Sequence, residues 1–312
     1  MGKLSNNYNE KLDISVVLVN FNTTHHTINC VNSIKELTSK DLSYEIIVVD
    51  NNSKVEEKQK LRDWLKLPEQ SDIISVFSDK NTGFTGGNML GINQAKGKYI
   101  YLLNNDCILQ NDTLSILYDF MEKNPKVAAV SPKMLNNQKH PTPAFSYMPS
   151  AFNKWFGNKL TNLLNPSKYP DRKKVYDKPI KVEVITGASM FLRKSAFEEV
   201  GYMDPAYFLY LEEEDLCMKL AKAGYEIYHV PEAIIQHLGG ESTNRNFDIA
   251  KEYYISLCIF LKKHYTPTER FLIKLRYLVR ELFSSFRDST RFKLFKFLLK
   301  DAPEKYSLRY KQ

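Results

Sequence analysis

A chain of 312 residues, 43% hydrophobic and 26% charged, has room for one large or two modest domains and the composition of a globular protein, which excludes disordered and fibrous classes. Its polar opening, MGKLSNNYNEKLD, lacks the apolar core of a secretory signal and, with Asn6, the acylation pattern of a Met-Gly start; apolar runs such as YYISLCIFL (253–261) are too short to span a bilayer. The net charge of +8 is localised, because residues 251–312 hold 15 Lys and Arg against 6 Asp and Glu while the other positions hold 29 against 30.

The first apolar run, ISVVLVNFN (14–22), is β-branched, unbroken and ends in polar residues, the pattern of a buried parallel strand. THHTINCVNSIKEL (24–37) follows with helical spacing of Ile28, Val31 and Ile34, and YEIIVVDNNS (44–53) is a second such strand. EEKQKLRDWLKL (56–67) predicts a helix, DIISVFSD (72–79) a third strand, and TGFTGGNMLGINQAKG (82–97) a glycine-rich turn opening a helix. KYIYLLNND (98–106) is a fourth strand, TLSILYDFMEKNP (113–125) a helix stopped at Pro125, and VAAVSPKML (127–135) another strand. Residues 136–180, rich in Pro, Asn and Lys, read as an irregular insertion or a mobile loop over the site. VEVITGASMFLRKSAFEEVG (182–201) returns to strand and helix, LCMKLAKAGYEI (216–227) is a helix with a stop at Gly224, and beyond residue 245 the pattern is long, basic and helical.

Strands alternating with helices predict an α/β fold with a mostly parallel sheet flanked by helices. Three strands end in polar tips: Asn20 and Asn22, Asp50 and Asn52, Asn105 and Asp106. Ligands of open α/β sheets bind beyond the carboxyl ends of the strands, so these tips outline a nucleotide-type site. Cys30, Cys107, Cys217 and Cys258 show no CxxC spacing and read as free thiols in a reducing compartment.

No G-x-G-x-x-G or Walker sequence is present; Gly83, Gly86, Gly87 and Gly91 suit either a tight turn or close approach to a phosphate or ribose. Asp106 closes an apolar strand, where a carboxylate is costly unless solvated or paired. It reads either as a ligand of a divalent cation on a diphosphate or as a turn residue. His237, ahead of two glycines, is either structural or a ligand of that cation. His25 and His26 point apart and receive no role. In YFLYLEEEDLC (207–217), four acids follow an aromatic segment. Acids in a helix's first turn complement its macrodipole. A carboxylate at the edge of an aromatic pocket is also the setting of a general base.

In order, VNFN, VVDNNS, NTGFTGGN, LLNND, ITGASMFLRKSAFEEVGYMDPAYFLYLEEEDLCMKLAKAGYEI and IIQH resemble the family 2 glycosyltransferases of GT-A fold, most closely their bacterial rhamnosyltransferase-like branch. The resemblance covers residues 12–245. It implies a GT-A catalytic domain over 1–245, its donor half near 12–135 and its acceptor half near 136–245, before a basic helical extension at 246–312. It further implies that Asn20, Asn22, Asp50 and Asn52 hold the base and ribose of a sugar nucleotide. Gly86, Gly87 and Asn88 would line the same pocket, with Asn105 at the neighbouring tip. Asp106 matches the last position of a DxD motif and His237 a histidine that completes the site for Mg²⁺ or Mn²⁺. Glu213 matches the general base and Asp215 a supporting acid near the acceptor, with Glu212 orienting them and Glu214 solvated. Two departures are visible: Asn104 replaces the first DxD acid, and the base is Glu rather than Asp. A frame shifted by one makes Glu212 or Glu214 the base.

The implied reaction is an inverting displacement in which an acceptor hydroxyl attacks the anomeric carbon as a nucleoside diphosphate leaves. The resemblance favours dTDP-L-rhamnose as donor, with UDP-hexose or UDP-galactofuranose as alternatives. The acceptor would be a saccharide or lipid-linked saccharide of the bacterial cell surface. A catalytically degenerate binding domain is the competing reading; a nucleotidyltransferase is disfavoured because VNFNTTHHT carries no basic glycine-rich loop. In the tail, Leu275, Leu278, Val279, Leu282, Phe283 and Phe286 recur at helical spacing while Lys274, Arg276, Arg280 and Arg287 fall largely on other faces. Such a helix lies on an anionic membrane surface or packs its stripe on the catalytic domain. The expectation is a cytoplasmic enzyme, peripheral on the inner face of the cell membrane, with a homodimer left open. No nucleic-acid recognition motif accompanies the basic residues.

Overall fold

The computed structural model describes residues 12–239 and 247–311; the polar opening at 1–11, Gly240 and the expected boundary at 245/246 lie outside the described residues. In chain order, β1 (Ile14–Asn20), α1 (Thr24–Leu37), β2 (Tyr44–Asp50), α2 (Val55–Leu65), β3 (Ile73–Phe77), α3 (Gly83–Ile92) and β4 (Tyr99–Asn104) form the first half. β5 (Cys107–Leu109), α4 (Thr113–Lys123) and β6 (Val127–Leu135) follow, then β7 (Pro141–Thr142), β8 (Phe145–Ser146), α5 (Ala151–Leu164), β9 (Ile180–Lys181) and β10 (Val184–Ile185). β11 (Ser189–Arg193), α6 (Lys194–Glu199), α7 (Glu212–Lys222) and β12 (Glu226–His237) lead to three helices, α8 (Phe247–His264), α9 (Pro267–Ser285) and α10 (Ser289–Leu299).

The main sheet has the order β3-β2-β1-β4-β11-β6-β12-β5. β3, β2, β1 and β4 are parallel, β6 and β12 run the same way, and β11 and β5 oppose them. Ile14, Val16 and Leu18 pack under α1 and α4, whereas Val17, Ile47 and Val49 face α3 and the β11 side. Burial on both faces is why these strands are continuous apolar runs instead of alternating ones.

The glycines of α3 set how closely it lies on the sheet. A Cβ at Gly91 would stand 2.4 Å from Val17 Cγ1, and one at Gly87 2.9 Å from Val19 Cγ1. Helix and strand approach closer than any side chain permits.

Residues 136–180 differ from the irregular insertion expected of them, because α5 occupies 151–164 behind a Ser150–Asn153 capping box. Gly157, at φ 81°, divides it. Phe152, Trp155, Phe156, Leu163 and Leu164 are exposed, so the apolar stripe that normally betrays a helix does not mark a core face here.

The basic tail is not an appendage. Tyr254, Leu257, Phe260 and Leu261 of α8 share a core cluster with Tyr207 and Leu211, the residues leading into the acid run. α9 docks through Ile273, Tyr277 and Glu281, all buried, whereas Leu282, Phe283 and Phe286 of the expected stripe lie exposed on its other side. Of the two fates weighed for that stripe, packing on the catalytic domain does not occur at these three positions; the helix packs by its opposite face.

Candidate functional site

The strand tips converge on one another. Asn20, fully buried, donates through Nδ2 to Asp50 Oδ2 at 3.0 Å and to Ser53 Oγ at 3.2 Å, and accepts from Thr27 Oγ1 at 2.9 Å. Asp50, equally buried, takes the Ser53 N–H on its other oxygen. Asn105 Nδ2 donates to Thr23 Oγ1 and Thr27 Oγ1, each at 2.8 Å, and Asn88 Nδ2 to Phe84 O. Asn20, Asp50 and Asn105 therefore tie loops together and Asn88 bonds back along its own helix α3; all four are among the residues expected at the nucleotide. Asn22 and Asn52 stay partly exposed in the left-handed region, at φ 60° and 65°; Gly86, in α3, is also partly exposed, whereas Gly87 is buried against Val19.

Asn51 was missed. Its Oδ1 accepts from Thr82 N and Oγ1, and its Nδ2 donates to Asn81 Oδ1 and Gly83 O, clamping the second strand tip to the glycine-rich turn. The only signal was its place in VVDNNS. Gly83, at φ 73°, has no room for a Cβ beside Phe208 O, and Phe84 N donates to that oxygen at 2.8 Å. The glycine turn is thereby pinned to the aromatic segment before the acids.

Tyr210 and Leu211 precede α7 at φ 73° and 65°, two consecutive left-handed residues without a glycine. Each such residue costs of order 1 kcal/mol or more and persists where the surroundings hold it. Leu211 is held by its burial with Tyr254 and Leu257. These two residues set the direction in which α7, and with it the acids, starts.

The four acids are not electrically alike. Burial, then the Glu213 charge, lifts the Glu212 carboxyl well above the usual range. The same two causes lift Glu214, and a hydrogen bond with Glu213 raises it further. Glu213 is raised by burial, and this is opposed by that hydrogen bond and by the Gly187 N–H. Glu213 is raised less than its two neighbours, and it sits beside Gly187 and Phe84. Glu214 is not solvated as expected: its Oε2 is shut from solvent, with Lys154 of α5 nearby.

Asp215 is likewise sealed. Its Oδ1 meets Lys263 Nζ and His264 Nε2 of α8, each at 2.7 Å, and Tyr207 OH at 3.2 Å, with Lys219 Nζ 3.7 Å from Oδ2. Burial alone would raise this carboxyl, but His264 and Lys263 hold it below its ordinary value. Where a supporting acid facing the acceptor was expected, the structure has a buried latch between α7 and the C-terminal helices.

Asp106 and His237 meet because β12 pairs with β5 in the register that sets His237 opposite Cys107. His237 Nε2 lies 3.2 Å from Asp106 Oδ1, while Gly239 N donates to Oδ2 at 3.1 Å. Burial opposes the Asp106 charge, yet His237 and the Gly239 N–H keep its carboxyl below the usual value. Asp106, Cys107 and His237 offer donor atoms within 4.8 Å of one another. Burial holds the Cys107 thiol far above its usual range, and its Sγ turns to Ala188 O. One carboxylate oxygen and one imidazole nitrogen remain, a pair suited to Mg²⁺ or Mn²⁺ that also carries diphosphate and water oxygens. The residues fit the cation implied for them.

A family model described as Glycosyl transferase family 2 matches residues 15–201. Among curated relatives, the low-salt glycan biosynthesis hexosyltransferase Agl10 of Haloferax volcanii is 26% identical over 69% of this chain and 64% of its own length. The rhamnosyltransferase WbbL of Escherichia coli (strain K12) is 26% identical over 64% of this chain and 74% of its own. An N-acetylglucosaminyl-diphospho-decaprenol L-rhamnosyltransferase of Mycobacterium tuberculosis is 26% identical over 47% of this chain and 49% of its own. The match thus spans less than two thirds of Agl10 and about half of the mycobacterial relative. GalNAc-T7, solved with UDP, GalNAc and Mn²⁺, superposes with TM-score 0.57 at 17% identity over 77% of this chain and 45% of its own. Staphylococcus aureus TarS residues 1–349, solved with UDP, gives 0.53 at 12% over 86% and 66%. These likenesses establish the GT-A fold.

Proposed function

The chain belongs to glycosyl transferase family 2, and on that premise we propose that it is a metal-dependent inverting transferase that moves a sugar, with dTDP-L-rhamnose favoured as donor, to a saccharide or lipid-linked saccharide of a bacterial cell surface. The observation that carries this reading is the turn at Gly187–Ala188. Ala188 O accepts from Asn104 N, two positions before Asp106, while the Gly187 N–H holds Glu213. One turn therefore links the Asp106–His237 pair to Glu213, the proposed base. The rhamnosyltransferase relatives support the sugar, and the UDP in both structural neighbours supports a UDP-sugar donor as the second reading.

A sugar hydroxyl is too weak an acid to ionise before it attacks, so Glu213 takes its proton as the bond forms. Gly187 and Glu214 fix the carboxylate for that transfer. A divalent cation held by Asp106 and His237 would offset charge gathering on the leaving diphosphate. Hydrolysis of dTDP-rhamnose and UDP-sugars, followed with and without Mn²⁺, tests the assignment. Wild type is expected to be stimulated by metal, and Asp106→Asn to fall to the metal-free rate. Unchanged metal stimulation in Asp106→Asn would remove Asp106 from the site.

Peripheral membrane binding forms part of the proposal. The exposed Leu282, Phe283 and Phe286 of α9 are accompanied by Phe271, Leu272 and the aromatic end of α5, whose Trp155 Nε1 donates to Leu272 O. Apolar side chains among lysines and arginines suit an anionic interface. Removing the tail would dismantle the α8 core, so point variants are the appropriate test. Full-length protein should float with phosphatidylglycerol vesicles, and Phe283→Glu/Phe286→Glu should float several-fold less; equal flotation would exclude this face.

A further inference from the structure

A cavity of about 460 Å³ opens between α8, α9, α10 and the strained segment before α7. Tyr210, Tyr253 and Tyr254 wall one side, Arg280 and Arg291 another, with Thr290 at the start of α10. We propose that this cavity holds the phosphate or diphosphate of a phosphorylated saccharide acceptor, the arginines taking the anion and the tyrosines the sugar. The inference rests on the transferase reading above and names how the acceptor is held.

Position is the first argument. Tyr210 is two residues from Glu212, so a saccharide against it lies within reach of the acid turn. Neither Asp106 nor His237, the residues proposed to carry the donor diphosphate, lines this cavity. Chemistry is the second. Both arginines serve the fully buried Glu281: Arg280 through Nε to Oε1 at 3.0 Å, and Arg291 through Nη1 to Oε2 at 3.3 Å. Tyr254 OH also donates to Glu281, at 2.6 Å, and Arg280 Nη2 donates to Tyr254 OH at 2.8 Å. One carboxylate thus orients two guanidiniums without matching their charge, and Arg280 Nη1 and Arg291 Nη2 still carry donors. Asp288 at the rim caps α10 through Thr290 N and, through its other oxygen, stands 3.9 Å from Arg291 Nε. Arg287 lines an adjoining cavity that shares Asp288 and Arg291 with the first. Three arginines therefore stand against two acids. Planar guanidiniums fixed in place suit bidentate phosphate recognition, and aromatic faces beside them suit a sugar ring. The adjoining cavity is also walled by Phe283, on the exposed apolar stripe, which gives an attached lipid chain a way out.

The test titrates full-length protein by calorimetry in EDTA with inorganic diphosphate, N-acetylglucosamine 1-phosphate and farnesyl diphosphate. EDTA removes the cation on which diphosphate binding at Asp106 and His237 would depend. Wild type is expected to bind at least one probe. A variant carrying Arg280→Met and Arg291→Met, with Glu281→Gln so that no bare carboxylate stays buried, should bind it at least about tenfold more weakly. Ala250→Trp, which fills the cavity from α8 and leaves every charge in place, should do the same. Tighter binding of farnesyl diphosphate than of diphosphate supports a lipid-linked source; preference for the sugar phosphate supports a soluble one. No binding by wild type, or undiminished binding in Ala250→Trp, overturns the proposal. Donor hydrolysis by wild type with Mn²⁺, measured in parallel, fails independently if the transferase reading itself is wrong.

Discussion

Glu213→Gln is expected to bind nucleotide sugar as wild type does and to lose roughly 10²–10⁴-fold in turnover, the usual span for a general base. Gln is isosteric and still accepts the Gly187 N–H, so the cleft edge keeps its shape while the proton acceptor is gone. Among the three glutamates, burial and mutual repulsion push Glu212 and Glu214 toward their neutral forms, and Glu213 is the one whose charge is supported by neighbouring donors. Gln at 212 or 214 is therefore expected to cost much less, and Gln at 214 still offers an N–H to Glu213. The base works ionised and its pKa is raised, so kcat/KM should fall with acidification at a pH above that of an exposed glutamate, about 4.3. Stopped assays across pH, with donor affinity measured separately, check both statements. A Glu213→Gln enzyme with near-normal kcat would shift the role to a neighbour or elsewhere.

The readable part of the fold is the part built by local pattern. Ile14–Asn20 and Tyr44–Asp50 are unbroken apolar runs because both faces are covered, and α1 carries its periodicity through Val31 and Ile34 into the core. The glycines of 83–91 were visible, but not their purpose: Gly87 and Gly91 make way for Val19 and Val17. α5 was hidden because its large apolar residues face outward and Gly157 interrupts its period. At the site, residue types at strand tips pointed to one end of the sheet, where the tips do meet. Whether an amide faces a ligand or a neighbouring loop depends on partners distant in the chain, as with Asn105 and Thr23. The same limit applied to the acid run, where type and spacing isolate four acids but only packing separates a Glu213 held by the Gly187 N–H from more strongly raised neighbours and a latched Asp215.

That latch gives the second large effect. Asp215→Ala is expected to destabilise the protein by about 3–5 kcal/mol, the cost of removing one partner from a buried ion pair and leaving the others uncompensated. Lys263 and His264 would lose the carboxylate that holds α8 against α7, and Lys219 a second contact. The folded pKa of Asp215 is lowered, so its contribution is fully present above the unfolded value of about 3.9 and is lost as pH falls through the folded one. Urea melts of wild type and variant should thus differ most near neutral pH and converge on acidification; a gap independent of pH would mean that lost packing, not charge, is responsible. Lys263→Met combined with Asp215→Asn should be less destabilising than the sum of the single changes, since each removes a charge the other leaves stranded. The consequence for catalysis follows from geometry. Asp215 lies two residues from Glu213 on the same first turn, and the helix it anchors, α8, also lines the cavity assigned to the acceptor. Loosening the latch should therefore raise the acceptor KM and lower kcat, with a smaller effect on donor affinity, since the strand-tip residues proposed for the nucleotide lie outside α7 and α8.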